Sequence, residues 1–171
     1  MTISALAATA TMLIFAFTMV YAGVTDLTTY KIQNGLVLLF LFAYAVLAPF
    51  AGFTAYEIER SAAVAAGVLL FGFIFFARGW IGGGDAKLAA VTALWFGADH
   101  TPAYLIYMTL LGSAFTLAIL QFRALALPAC LQNRSWIARL HSRGSKVPYG
   151  VAMALAALVV FPQTRWMTAM F

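Results

Sequence analysis

Long apolar runs separated by short polar breaks make up most of the chain. We expect six membrane spans from these runs, at roughly residues 5–24, 36–56, 62–77, 86–98, 103–122 and 147–161. A helix needs about 20 apolar residues to cross the hydrocarbon core of a bilayer, so the fourth run is too short to cross alone. The pattern predicts an all-α membrane protein, a polytopic bundle of about six transmembrane helices in a single domain over residues 1–171.

A glycine-rich segment precedes the short fourth run. It reads Gly79-Trp80-Ile81-Gly82-Gly83-Gly84-Asp85, and glycine costs roughly 1 kcal/mol per residue inside a helix. We therefore expect this segment to be non-helical and to supply the missing length by entering the membrane. Irregular backbone is tolerated at that depth only where protein or a water-filled cavity surrounds it.

Aromatic and proline residues add two expectations about the spans. Pro49 lies inside the second run, where we expect it to kink the helix. The four tryptophans lie near predicted span ends and are expected to be interfacial anchors: Trp80, Trp95, Trp136 and Trp166.

Composition supports the membrane assignment and excludes other classes of protein. Hydrophobic residues make up 64% of the 171 residues and charged residues only 9%, whereas a soluble domain carries about 25% charged residues. The net charge of +5 does not indicate nucleic-acid binding, because half of the basic residues lie in segment 123–146 and no wider basic face accompanies them. A single cysteine, Cys130, excludes an internal disulfide and a cysteine-rich zinc site. We expect no metal and no organic cofactor.

The basic residues also predict the orientation, because cytoplasmic loops are enriched in lysine and arginine. The loops after the first, third and fifth spans carry most of them: Lys31, Arg78, Lys87, Arg123, Arg134, Arg139, Arg143 and Lys146. The opposite side carries only Arg60 and Arg165. We expect the odd-numbered loops, including loop 123–146, in the cytoplasm and both termini on the far side. A short amphipathic helix around Trp136 is expected to rest on anionic lipid, and a role in docking the substrate stays open.

Two acidic residues stand at the ends of apolar runs. Asp26 follows the first run and Asp85 precedes the fourth, and charges at membrane depth are costly and usually functional. Composition alone leaves three explanations open: a lysine partner or helix cap, an ion or proton pathway, and a catalytic pair. In a catalytic pair, two converging carboxyl groups would share one proton, so that one activates water and the other polarises a scissile carbonyl.

Three motifs carry a resemblance to a known family, the type IV prepilin peptidases. Gly82-Gly83-Gly84-Asp85-Ala86-Lys87-Leu88 resembles that family's Gly-x-Gly-Asp motif. Asp26-Leu27-Thr28-Thr29-Tyr30-Lys31-Ile32-Gln33-Asn34 is similar to its motif of an aspartate followed by a basic residue, Ile, Pro and Asn, with Gln33 where proline is usual. Lys146-Val147-Pro148-Tyr149-Gly150 resembles the Pro-aromatic-Gly start of its last helix. The motifs occur in the family's order and span nearly the whole chain.

The resemblance implies an aspartyl endopeptidase of the bacterial inner membrane, with Asp26 and Asp85 as the catalytic pair at the cytoplasmic face. It implies hydrolysis of the leader peptide of a type IV or Flp-like prepilin or pseudopilin, in which a hydrophobic helix follows the leader. We expect five further residues of the matching motifs to bind substrate or support the pair: Lys31, Asn34, Gly82, Gly84 and Lys87.

The chain resembles the short form of the family, found with Flp-type pili of tight-adherence systems, because it begins with a span where larger members carry a cysteine-rich methyltransferase domain. We expect peptidase activity without methyltransferase activity. The alternative from another class is a small membrane transporter or proton channel that uses the same aspartates. Such a protein would need further polar residues in mid-span, and the apolar runs contain few. Membrane lipid is an expected partner, nucleic acid is not, and the oligomeric state stays open.

Overall fold

The computed structural model describes residues 3–168, without the side chains of residues 3–8, Ala129, Gln132 and Thr168. The all-α expectation is confirmed, because these residues form helices and connecting turns and no strand occurs within residues 3–168. The helices are α1 (Ile3–Thr29), α2 (Asn34–Phe50), α3 (Ala55–Ala77), α4 (Gly83–Ala124), α5 (Ala129–Gln132), α6 (Ser135–His141), α7 (Gly150–Val160), a 3₁₀ turn (Phe161–Gln163) and α8 (Arg165–Thr168).

Three helices are long and apolar enough to cross a membrane. They are Thr9–Thr29 within α1, all of α3 and all of α4, whereas α2 and the segment Gly150–Gln163 are apolar but shorter. Large apolar side chains on their outer faces are exposed, as with Phe42 and Phe71, and a hydrocarbon solvent accommodates such faces where water does not. The chain is therefore an integral membrane protein, and the number of six spans stays a prediction.

The first helix continues beyond the expected end of the first span. The boundary at Val24 is wrong, because α1 runs through Asp26 to Thr29. Hydroxyl groups of the threonines in this part donate to backbone carbonyls one turn earlier, so these polar side chains are satisfied without water. The helix ends at Tyr30, which has a positive φ of 58°.

The second helix is shorter than expected. α2 ends at Phe50, so the predicted boundary near Tyr56 is wrong. Pro49 lies in the last turn of α2. The helix therefore stops after this proline instead of continuing with a kink, and the chain turns at Gly52, which has a φ of 76°.

The third helix begins earlier than expected, at Ala55 rather than Ala62. A capping box starts it: the Thr54 hydroxyl accepts a hydrogen bond from the Glu57 N–H, and the Glu57 carboxylate accepts one from the Thr54 N–H. The reciprocal bonds satisfy two free N–H groups of the first turn. Charged residues that suggested a loop therefore belong to the first turns of α3.

The glycine-rich segment is irregular only in its first half. Gly83 and Gly84 are the first residues of α4, so the expectation that they are non-helical is wrong. Gly82 is the N-cap residue, and the Asp85 carboxylate accepts a hydrogen bond from its N–H at 3.2 Å. This cap offsets part of the low helix propensity of glycine. The turn after α3 is made by Gly79, with a φ of 74°.

A break at Gly97 divides α4 into two parts, close to where the fourth and fifth apolar runs were separated. Gly97 has φ 64° and ψ −169°, a backbone region that is in practice open only to glycine. The first part, residues 83–96, is roughly 21 Å long. The last apolar helix begins at Gly150 rather than at 147, because Pro148 disfavours helical backbone in the residue before it.

The third helix packs antiparallel to the first part of α4. Gly72 lies against Ala86, where a Cβ on the glycine would come within 2.9 Å of the alanine Cβ, and Ser61 lies beside Gly97. The amino end of α4 is therefore beside the carboxyl half of α3. From Gly72, which contacts Ala86, α3 continues to Ala77, roughly 7 Å further along its axis.

An aromatic core joins α1, α2, α4 and α7. Trp95 and Trp166, each 1% exposed, have ring centroids 4.8 Å apart. Their indole N–H groups donate to the backbone carbonyls of Phe40 and Trp95, respectively. The expectation that these two tryptophans are interfacial anchors is wrong, because both side chains turn inward between helices and find their polar partner there. Trp80, in contrast, is exposed.

Replacing Gly97 with alanine is expected to destabilise the protein. An alanine at position 97 would have backbone angles that only glycine adopts readily, and its Cβ would come within 3.1 Å of the Ser61 Oγ. The free energy of unfolding should therefore fall by about 1–3 kcal/mol. Thermal unfolding of the purified protein in detergent should show a lower midpoint. The control is Gly67→Ala, inside α3 with open space around the added methyl group, which should keep or raise the midpoint. An unchanged midpoint for Gly97→Ala would contradict the claim that the break in α4 requires glycine at position 97.

Candidate active site

Asp26 and Asp85 line one cavity of about 540 Å³, which we call the dyad cavity. It lies where three helix ends meet: the carboxyl end of α1 and the amino ends of α4 and α7. Nine other residues complete its lining: Tyr30, Gly79, Trp80, Ile81, Gly82, Lys146, Val147, Pro148 and Tyr149. The cavity therefore brings together carboxyl groups, a cation and a phenol in one space.

The carboxylate of Asp26 is buried at the amino end of α7. Asp26 is 5% exposed, and its Oδ2 accepts a hydrogen bond of 2.7 Å from the Gly150 N–H. The first N–H groups of a helix have no partner inside that helix, and the helix dipole favours negative charge there. A Cβ on Gly150 would lie 2.8 Å from both the Cβ and the Oδ2 of Asp26. The contact therefore requires glycine at position 150.

The carboxylate of Asp85 lies in the first turn of α4 and is half-buried. Its Oδ2 accepts the hydrogen bond from the Gly82 N–H, and a Cβ on Gly82 would come within 2.7 Å of that oxygen. Both aspartates are thus held by backbone N–H groups at helix amino ends. Their positions depend on the backbone rather than on flexible side-chain partners.

Contacts outside the cavity join the two segments that carry the aspartates. Ile32 packs against Gly84, where a Cβ on the glycine would come within 3.0 Å of the Ile32 Cβ. The Lys87 Nζ donates a hydrogen bond of 2.9 Å to the Asn34 Oδ1. These contacts hold the segment between α1 and α2 against the first turns of α4.

The expected site residues fall into two groups. Three line the dyad cavity: Asp26, Asp85 and Gly82. Four lie outside its lining: Lys31, Asn34, Gly84 and Lys87. Of the outer four, Lys31, Asn34 and Lys87 are exposed. Gly84, Asn34 and Lys87 make the contacts that hold the segment after α1 against the first turns of α4.

Tyr149 and Gly150 were not among the expected site residues, although the Pro-aromatic-Gly motif contains both. The Tyr149 ring lies against Gly112 in the second part of α4, so closely that a Cβ there would overlap the phenol oxygen. Tyr149 also lies near enough to Asp85 for the two groups to interact electrostatically. The motif was the signal that could have placed both residues in the site.

Lys146 is a further cavity residue that sequence reasoning missed. It interacts electrostatically with Asp85, and the buried Arg123 at the end of α4 fixes its backbone. The guanidinium of Arg123 donates to the Leu140 carbonyl at 2.8 Å, the Ser145 Oγ at 2.7 Å and the Lys146 carbonyl at 3.2 Å. The cytoplasmic loop expected after the fifth run is therefore anchored, and its end is directed into the dyad cavity.

Tyr30 borders the cavity at the end of α1. The Arg139 guanidinium carbon lies 5.8 Å from the centroid of the Tyr30 ring. The Tyr30 hydroxyl is buried and has no hydrogen-bond partner among the described residues. A buried hydroxyl without a partner costs about 1–3 kcal/mol, so this group is available to a ligand that enters the cavity.

The other acidic residues lie away from the dyad cavity. Asp99 pairs with Arg60 at 3.1 Å, and Glu57 pairs with Arg165. Among residues 3–168, no group of three or more His, Cys, Asp or Glu side chains gathers as a metal site would. The expectation of no metal and no cofactor stays a prediction.

Comparison with known proteins identifies one family. The model of the type IV leader peptidase family matches residues 13–120, a range that includes both aspartates and ends before Arg123, Lys146 and Gly150. No curated protein and no solved structure matches the chain.

Replacing Arg123 with alanine is expected to release residues 140–150 from the bundle. A hydrogen bond to a charged group contributes about 1.5–3 kcal/mol. Since about 1.4 kcal/mol changes an equilibrium constant tenfold, local unfolding of residues 140–150 should become at least about tenfold more frequent. Hydrogen–deuterium exchange of the backbone amides of residues 140–150, in detergent, measures this change. Arg134→Ala removes an exposed arginine of the same loop and should leave the exchange unchanged. If Arg123→Ala exchanged at the wild-type rate, Arg123 would not be what holds residues 140–150 against the bundle.

Proposed function

Because this chain belongs to the type IV leader peptidase family, we propose that it is an aspartyl endopeptidase that removes the leader from type IV or Flp-like prepilins and pseudopilins. The family makes the chain a peptidase with a prepilin substrate. The observation that carries the aspartyl chemistry is the dyad cavity, where Asp26 and Asp85 converge from different helices. On the resemblance to the short form, we propose cleavage without methylation.

In the proposed mechanism, Asp26 and Asp85 come close enough to share a single proton, because two negative charges at close range are unfavourable. The ionised member takes a proton from water, whose oxygen attacks the scissile carbonyl carbon while the protonated member donates to the carbonyl oxygen. When the tetrahedral intermediate collapses and the C–N bond breaks, the aspartate that took the proton from water donates it to the leaving amine. The other aspartate takes a proton back from a hydroxyl group of the intermediate, which restores the pair. The products are a leader with a new carboxylate and a shortened prepilin with a new amino terminus.

The proposed topology has six spans: α1, α2, α3, the two parts of α4, and Gly150–Gln163. The first part of α4 is about 9 Å shorter than the hydrocarbon core. Since α3 continues roughly 7 Å beyond the contact between Gly72 and Ala86, Asp85 would lie below the membrane surface. Water would reach it through the dyad cavity.

Basic residues support a cytoplasmic active site. Lys146 lines the dyad cavity, while Lys31 and Lys87 lie on the segments that carry the aspartates. Cytoplasmic ends of membrane proteins are enriched in lysine and arginine. We therefore propose that the cavity faces the cytoplasm from the bacterial inner membrane, with both termini on the far side.

The remaining motif residues are proposed to support the pair or contact substrate. Gly84, Lys87 and Asn34 hold the first turn of α4 against the segment after α1. Lys31 follows Tyr30, which lines the cavity, and its exposed ammonium group is available to an acidic group of the substrate.

The transport alternative predicts a polar path between the two ends of the bundle. The core instead consists mainly of apolar and aromatic side chains, with Phe15, Phe40 and Trp95 packed against one another. Buried hydroxyl groups, such as those of Thr92 and Thr101, donate to backbone carbonyls. This packing and the family membership favour hydrolysis over ion or proton transport.

Asp26→Asn and Asp85→Asn are each expected to abolish leader cleavage, because an amide can neither take up nor release the catalytic proton. Acid–base catalysis contributes about 10²–10⁴-fold, so the rate should fall at least about 100-fold. The mobility shift of a co-expressed Flp-type prepilin measures cleavage, after equal membrane levels are confirmed. Asp99→Asn makes the same change at the Arg60 ion pair and should cleave normally. Wild-type cleavage by either dyad variant would favour a transport or structural role.

Gly150→Ala is expected to slow cleavage through Asp26. The new methyl group would overlap the Asp26 side chain, and misplacing a catalytic group by about 1 Å costs roughly 100-fold in rate. The same prepilin assay measures the loss. Gly144→Ala adds a methyl group where nothing lies within 4 Å, so it should cleave as the wild type does. Equal cleavage by both variants would mean that the contact does not position Asp26.

A further inference from the structure

A second cavity, of about 410 Å³, meets the dyad cavity at Asp85. We call it the apolar cavity. Three residues line both spaces: Ile81, Asp85 and Tyr149. A peptide whose scissile bond lies at Asp85 would therefore have one space on each side of that bond.

The lining of this cavity comes from α3, both parts of α4 and α7, and it is almost entirely apolar. Val68 and Phe75 contribute from α3, Leu105 and Met108 from the second part of α4, and Met153 from α7. Beyond Asp85 and Tyr149, the only other polar side chain in the lining is Thr109. Its hydroxyl donates to the Leu105 carbonyl. The lining thus offers an incoming side chain mainly van der Waals contact.

The apolar cavity opens at the outer face of the bundle. Phe71 and Phe75 line it and are 64% and 42% exposed, and both belong to a helix that is apolar enough to cross the membrane. Gly72 and Ala86 also line the cavity, and α3 and α4 are in close contact at these two residues. A hydrocarbon-embedded segment can therefore reach Asp85 from the lipid side without crossing the core.

We propose that the apolar cavity is the subsite for the apolar side chains next to the scissile bond, at the start of the substrate's membrane helix; this rests on the proposed function. The occupant is the substrate because Asp85 lines this cavity, so the residues next to a scissile bond held at Asp85 lie against it. The leader then lies on the other side of the scissile bond, in the dyad cavity. Transfer from lipid into an apolar cavity brings no hydrophobic gain, so selection there depends on shape.

Reducing the size of the cavity tests this dependence on shape. Met108→Trp should lower kcat/KM at least about tenfold for a prepilin with a large apolar residue directly after the scissile bond, and much less when that residue is alanine. Leu110→Trp makes a comparable change on the same helix, at a lipid-exposed position outside the cavity, and should cleave both substrates normally. Equal losses for both substrates, or no loss, would overturn the subsite.

Disulfide cross-linking gives a readout that does not depend on catalysis. Cys130 is the only cysteine of the chain, so Cys130→Ser provides a clean background. Asp26→Asn would stop cleavage without changing the apolar cavity, because Asp26 does not line it. In this protein, Met108→Cys should form a disulfide with a cysteine placed directly after the scissile bond, because the two Cβ atoms would approach within disulfide range. Leu110→Cys should not.

The outcomes separate the subsite from the proposed function. If the wild type cleaves and Asp26→Asn does not, but residue 108 cross-links no better than residue 110, the subsite is wrong and lipid fills the apolar cavity. If the wild type does not cleave a prepilin, the proposed function fails and the subsite falls with it. Selective cross-linking at residue 108, together with the size-dependent loss in Met108→Trp, establishes the subsite.

Discussion

A carboxylate buried among apolar helices costs several kcal/mol unless protein groups replace its water, and Asp26 meets this requirement through the Gly150 N–H. The bond joins the last turns of α1 to the amino end of α7, across 124 positions of sequence. The unsatisfied N–H and the helix dipole both favour the negative charge. The position of α7 therefore also sets the position of Tyr149 and Lys146, which precede Gly150 and line the same cavity.

Glycine makes this arrangement possible through close contact. Gly150 admits the Asp26 side chain, Gly84 admits Ile32, and Gly112 admits the Tyr149 ring. Lipid gives no hydrophobic drive for helices to associate, so close van der Waals contact and hydrogen bonds must hold them together. Gly97 has a different use, because its backbone angles break α4 and shorten its first part. The result is a closely packed set of helix ends around a cavity of about 540 Å³.

The sequence predicted the helical class and the membrane environment, because long apolar runs are a strong local signal. It also singled out Asp26 and Asp85, which line one cavity, and their catalytic role stays a proposal. It misplaced several helix ends, because caps such as the Thr54 and Glu57 pair start a helix among charged residues. It treated Trp95 and Trp166 as interfacial, since position along a span does not reveal which way an indole points. Arg123 and Lys146 were missed as site residues because a hydrogen bond from the end of α4 brings a distant loop back to the site.

These observations support an intramembrane peptidase in which the carboxyl end of α1 and the amino end of α4 present carboxylates to a shared cavity. Convergence of the two aspartates is most directly tested by cross-linking a Cys130→Ser protein that carries Asp26→Cys and Asp85→Cys. A short bifunctional thiol reagent should join positions 26 and 85 within one chain, read by mass spectrometry, and should not join Asp26→Cys to Asp99→Cys. If each cysteine reacts singly but positions 26 and 85 are never joined, the aspartates do not share a cavity and the mechanism is wrong.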